Sequence, residues 1–165
     1  MPLFRRRSRR WDAQPRNPAS VLLASDGRSP PSATAMERAA ALASAADAPV
    51  AVVVIAKVHG TSFGLPNPGL MPTKAELKER TGWVDSAIRD LGRRGIGADG
   101  QVATTRRGVK LLAKIARLRG VSAVVMDGTS ATGLRRVIEG DPGEELRRKL
   151  RRGDEIPVEI IAPQR

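Results

Sequence analysis

Apolar residues in this chain fall into short unbroken runs separated by stretches of helical spacing. The runs are residues 20–25 (SVLLAS), 50–58 (VAVVVIAKV), 121–126 (VSAVVM) and 157–162 (PVEIIA). The inner runs are continuous rather than alternating, the pattern of strands covered on both faces. A weaker strand is predicted near residues 100–104, after turn signals at 95–100. Between the runs, residues 32–46 are Ala-rich and place Met36, Ala40 and Ala43 on one face. A second helix opens at Thr73, which with Glu76 forms a capping box. It carries Leu77, Val84, Ile88 and Leu91 and stops at Gly95. A third is predicted over 107–119, with Val109, Leu112, Ile115 and Ala116 inward and Gly120 just past its end. A fourth starts at Asp141-Pro142-Gly143-Glu144, where Asp suits the N-cap and Pro the first helical position. Leu146 and Leu150 form its apolar stripe. Strand and helix alternate throughout, which predicts an α/β fold: a doubly wound parallel sheet with right-handed crossovers and helices on both faces. Residues 60–72 (GTSFGLPNPGLMP) are too rich in Gly and Pro for a regular element and predict a loop leaving the carboxyl end of the second strand.

Length and composition place this pattern in one soluble domain: 165 residues, 41% hydrophobic and 28% charged. Aromatics are only 2%, so the core must come from Val, Ile, Leu and Ala. Without Cys, the chain has no disulfide, thiolate metal site or cysteine nucleophile. The formal charge of +12 changes the picture more. Part of it sits in MPLFRRRSRRWDAQPRNPAS, which lacks periodicity and carries Pro2, Pro15 and Pro18. Residues 1–18 are therefore expected to be a disordered basic arm, followed by the α/β domain over 19–165. Arg5, Arg6, Arg7, Arg9 and Arg10 in this arm are either a solvated tail or an electrostatic anchor for nucleic acid, acidic lipid or an acidic partner. No apolar stretch suited to export follows the arginines. The longest apolar run, 50–56, is too short to cross a bilayer. The expectation is a cytoplasmic protein.

In open parallel sheets ligands bind beyond the carboxyl ends of the strands, where strand order reverses. Two such ends carry the same chemistry: Ser25-Asp26-Gly27 and Met126-Asp127-Gly128. The second opens VMDGTSATGLRRVIEGDPGEE, which has the layout of a phosphate-binding turn. Catalytic signatures are missing. There is no GxxxxGK[ST], and no GxGxxG follows the first strand. His59 is the sole His, and Ser62, Thr129 and Ser130 have no activating base nearby in sequence. No catalytic residue and no metal site is predicted, and the protein is expected not to be an enzyme. Phe63, Leu65, Leu70 and Met71 form either a lid over the pocket or a surface packed on a partner subunit.

From residue 19 to 163 the chain resembles the universal stress protein family. VLLASDGRSPPSATAMERAAALA looks like the family's first strand, its Asp and its first helix. VVVIAKV looks like its second strand, and PVEIIAP like its last. VVMDGTSATGLRRVIEGDPGEEL looks like its fourth strand and loop, usually written G-x2-G-x9-G followed by Ser or Thr. The resemblance implies five strands in the order 3-2-1-4-5, a homodimer through the last strand, and in some members an adenine-nucleotide pocket such as one for ATP. It matches Asp26 to the acidic residue near the nucleoside and Val58 to the residue touching the base. Asp127 stands at the first Gly of the loop, Ser130 at the second and Gly140 at the third. Asp141 stands at the Ser or Thr, and Gly133 at a small residue within the loop. A one-residue slip puts Gly128 in the first role.

These departures have physical consequences. A Gly-rich loop holds phosphate through bare backbone N–H groups, helped by the positive end of the next helix. Asp141 would cap those groups with its own carboxylate. Asp26, Asp127 and Asp141 are expected to gather in one small volume, where like charges repel by on the order of 1 kcal/mol or more. The leading expectation is a non-enzymatic stress or signalling module with a degenerate or altered adenine-nucleotide pocket and no other cofactor. The alternative is non-specific binding of nucleic acid or an acidic surface through the arm and the last helix, which holds Arg147, Arg148, Lys149, Arg151 and Arg152.

Overall fold

The computed structural model describes residues 20–59, 68–129, 140–153 and 155–163. The basic arm, residues 60–67 and residues 130–139 lie outside the described residues. Five strands alternate with four helices among those described: β1 (Val21–Ser25), α1 (Ala33–Ala45), β2 (Val50–Lys57), α2 (Lys74–Arg93), β3 (Ala98–Thr105), α3 (Gly108–Arg119), β4 (Ala123–Asp127), α4 (Pro142–Arg151) and β5 (Val158–Ile161). A short 3-10 turn, Pro68–Leu70, precedes α2. All strand pairs are parallel and the order is β3-β2-β1-β4-β5.

The continuous apolar runs form the centre of the sheet. Every residue of β1 is buried, as are the first seven of β2. Their side chains alternate between two helical layers. Leu22, Ala24, Val53, Ile55, Val124 and Met126 pack toward α3 and α4. Val21, Leu23, Val52, Val54 and Val125 pack toward α1 and α2. This parity decides where the polar residues at the strand ends point.

Helix boundaries follow the capping residues. The Ser32 hydroxyl accepts from the Ala35 N–H at the start of α1. Thr73 and Glu76 form the reciprocal capping box of α2. Gly120 closes α3 in the left-handed conformation. Asp141 caps α4 with Pro142 next. The weak strand proves longer than predicted. β3 pairs residue for residue with β2 from Val50↔Ala98 to Lys57↔Thr105. It is an edge strand, mostly half-buried, so its sequence ADGQVATT needs no apolar run. At its start, Asp99 accepts from both Nη atoms of Arg119, at 3.3 and 3.1 Å, and Arg119 is only 4% exposed.

On the opposite edge β5 is tied to α1 by Arg38, whose Nε and Nη2 donate to the Glu159 carboxylate at 2.5 and 2.8 Å. The Arg38 hydrogen bond holds the Glu159 carboxyl below its ordinary range; burial opposes the shift and the Arg38 charge adds to it. A depressed folded-state value stabilises the fold above the unfolded value, about 4.3, and that contribution disappears as pH falls through the lowered value. Glu159→Gln is therefore expected to be less stable than the parent at pH 7 and to converge with it in acid. Urea titrations across pH measure this; a constant gap would show that the ion pair does not stabilise the fold.

Candidate functional site

A cavity of about 380 Å³ opens at the carboxyl ends of β1, β2 and β4, on the α3–α4 side of the sheet. Ile55, Val109, Leu112 and Met126 supply its apolar surface. Asp26, just beyond β1, has the parity of Leu22 and Ala24 and so reaches this side. Its loop is folded by local polar contacts: Ser25 Oγ accepts from the Gly27 N–H at 3.1 Å and donates to the Ser29 carbonyl at 2.9 Å. Asp26 accepts from the Arg28 N–H at 3.0 Å and pairs with Arg28 Nε at 3.3 Å. Between them, Gly27 has φ +83°, and a Cβ there would lie 1.7 Å from the Ile55 carbonyl oxygen. Only glycine lets the loop cross β2 this closely.

The charge of the cavity is positive. Among the described residues, six cations, Arg28, Lys57, Arg106, Arg107, Lys110 and Lys149, face two acids, Asp26 and Glu145. Arg28 is paired with Asp26, and Lys149 approaches Glu145 at 3.8 Å. Lys57 shares the parity of Ile55 at the end of β2. Arg106 and Arg107 fill the link from β3 to α3, and Lys110 sits in the first turn of α3.

The expected crowding of carboxylates is not what the structure has. Asp127 shares parity with Val125 and turns to the α1 side. There it accepts from the Ser32 N–H at 2.8 Å and the Ser32 hydroxyl at 2.5 Å. Asp141 turns back on its own helix and accepts from the N–H groups of Gly143 at 2.9 Å and Glu144 at 3.3 Å. Among the described residues, no three His, Asp or Glu side chains come together as a metal site requires. The reason is strand alternation: Asp26 and Asp127 stand at opposite parity on neighbouring strands, so the sheet separates them.

The other expected residues scatter. Val58 donates its N–H to the Thr105 carbonyl at 3.0 Å, while its neighbour Lys57 lines the cavity. The Gly128 N–H is spent on the Ile161 carbonyl at 2.7 Å, and a Cβ there would sit 3.0 Å from that oxygen. Gly140 has φ +71° and with Asp141 borders a separate cavity of about 640 Å³ against α4. Ser130 and Gly133 lie outside the described residues, as do Ser62, Phe63 and Leu65. Leu70 ties back to the end of β2, its carbonyl accepting from the His59 N–H at 3.0 Å. Neither Leu70 nor Met71 lines the cavity. The cations that sequence reading missed are Arg28, Lys57, Arg106, Arg107 and Lys110. For Arg106, Arg107 and Lys110 the signal was TTRRGVK, a basic run at the carboxyl end of a strand; Lys57 closes the apolar run of the second strand.

No family model and no curated protein matches this sequence. Solved structures do. A universal stress protein family member from Burkholderia pseudomallei is 24% identical, with a TM-score of 0.58 over 89% of this chain and 98% of its own. A universal stress protein from Archaeoglobus fulgidus, solved in complex with dAMP, is 17% identical, with a TM-score of 0.57 over 86% of this chain and 96% of its own. One from Lactobacillus plantarum is 13% identical, with a TM-score of 0.63 over 87% of this chain and 97% of its own. At these identities the likeness is one of architecture, and it agrees with the resemblance read from the sequence: this chain has the fold of the universal stress proteins.

Proposed function

We propose that the protein is a non-enzymatic stress or signalling module that takes an anionic adenine nucleotide in an altered pocket. The observation that carries this reading is the cavity beneath Asp26, with an apolar floor and a four-charge cationic excess at the carboxyl edge of the sheet. A protein of the same fold from Archaeoglobus fulgidus was solved with dAMP. The pocket is altered because the amides of Gly143 and Glu144 are taken by Asp141 and that of Gly128 by Ile161. Among the described residues, side-chain cations are left to meet the phosphates. A homodimer through β5 belongs to the same reading, since β5 is the outer strand on its side and its far edge offers a ladder.

Calorimetry with adenosine, AMP, ADP, ATP and cyclic AMP tests the pocket. AMP is expected to bind and to be recovered intact. Asp26→Asn should weaken every adenosine-bearing ligand about tenfold, the value of one hydrogen bond to a charged group. Absence of binding at millimolar nucleotide would overturn the proposal, and turnover that needs Asp26 would overturn its non-enzymatic part.

One observation favours a second reading. α3 and α4 together carry eight basic and two acidic residues, whereas α1 and α2 carry six and five. That imbalance suits a polyanion lying across the α3–α4 face. A duplex oligonucleotide in the same calorimeter, bound with a steep salt dependence, would favour it over the small-molecule pocket.

A further inference from the structure

The cavity beneath Asp26 does not end at its cationic wall. A second cavity of about 500 Å³ lies beyond it, and Arg106, Arg107 and Lys110 line both. Lys114, one turn further along α3, continues the basic lining on the far side. All four side chains are exposed, and among the described residues none forms an ion pair or donates a side-chain hydrogen bond. Two of the three remaining cations of the first cavity differ: Arg28 and Lys149 already face Asp26 and Glu145, while Lys57 at the end of β2 adds to the unpaired charge. The first turn of α4 holds Glu144 and Glu145, and the first turn of α3 holds no acid. Among the described residues that line the two cavities, the uncompensated positive charge thus lies at Lys57 and around the start of α3.

We infer that the ligand is a nucleoside polyphosphate whose phosphate chain runs out along the start of α3, over Arg106, Arg107 and Lys110, toward Lys114 in the second cavity. This rests on the nucleotide reading above and specifies the ligand and its direction. A monophosphate reaches only the shared wall. Each further phosphate meets another cation and displaces more counterions, so affinity climbs with chain length and falls with salt.

The test compares the full-length protein with two double variants, Arg107→Glu/Lys110→Glu on α3 and Arg148→Glu/Arg151→Glu on α4. Circular dichroism confirms that each is folded, and calorimetry follows adenosine, AMP, ADP, ATP and inorganic tripolyphosphate. In the parent, affinity is expected to rise about three- to tenfold per phosphate. The α3 variant should bind AMP and ATP alike, with a salt dependence weaker by roughly two ions, while the α4 variant keeps the series. A series that survives in the α3 variant, or vanishes only in the α4 variant, overturns the inference. If AMP binds and the parent's series is flat, the chain path falls and the nucleotide reading stands. If tripolyphosphate binds through α3 and adenosine adds nothing, the path stands and the adenine reading falls. Absence of all binding removes both.

Discussion

Gly27→Ala is expected to cost about 3 kcal/mol of folding stability or more, the largest effect expected of an added methyl among the described glycines. Two penalties add. The backbone at Gly27 has φ +83°, a region that costs an L-residue with a side chain about 1–2 kcal/mol. The new Cβ would also stand 1.7 Å from the Ile55 oxygen and 2.9 Å from its carbonyl carbon. Backbone cannot rotate aside as a flexible side chain can, so β1 and β2 must part at their carboxyl ends. Gly95→Ala separates the two terms, since Gly95 has φ +75° with nothing within 4 Å of its Cβ position. Urea denaturation of both variants should show Gly27→Ala losing at least twice as much. Equal losses would mean that the loop yields freely and the close crossing contributes nothing.

Asp99→Ala is expected to cost about 2–3 kcal/mol, with Arg119→Met costing clearly less. The Arg119 side chain is 5% exposed and that of Asp99 30%. Removing Asp99 strips a buried guanidinium of its bidentate carboxylate. Arg119→Met removes the charge itself and keeps the apolar stem against the core. The partial exposure of Asp99 lets water reach the pair, which places the expected loss below that of a fully enclosed one. Denaturant midpoints of the two single variants and the double variant give the coupling directly. Equal losses in the two single variants would show that the pair behaves as a surface contact.

The sheet was legible because its central strands are buried on both faces and need unbroken apolar runs, as in VLLAS and VAVVVIAK. Helix starts were legible because Thr73 with Glu76, and Asp141 with Pro142, leave chemical marks in the sequence. β3 was harder. It is held by its ladder to β2 more than by burial, so ADGQVATT shows little hydrophobic signal. Of the residues lining the candidate cavity, Asp26 was named from the sequence, but Asp127 was assigned beside it from its place at a strand end and from the family's loop spacing. Counting parity from Val125 would have sent its carboxylate to the opposite face, where Ser32 holds it. The grouping of the cavity's cations escaped because they lie on different elements. Lys57 at the end of β2, Arg107 before α3 and Lys149 on α4 border one space only after the crossovers are drawn.

Among the described residues, the four helices divide their charge unevenly, with the excess of positive charge on the α3–α4 layer. A net charge alone attracts a negative object from any direction; a lopsided one also exerts a torque. Within about 8 Å at physiological ionic strength, an approaching anion would turn the molecule so that α3 and α4 lead. Orientation would then precede contact, and fewer encounters would be wasted on the neutral side.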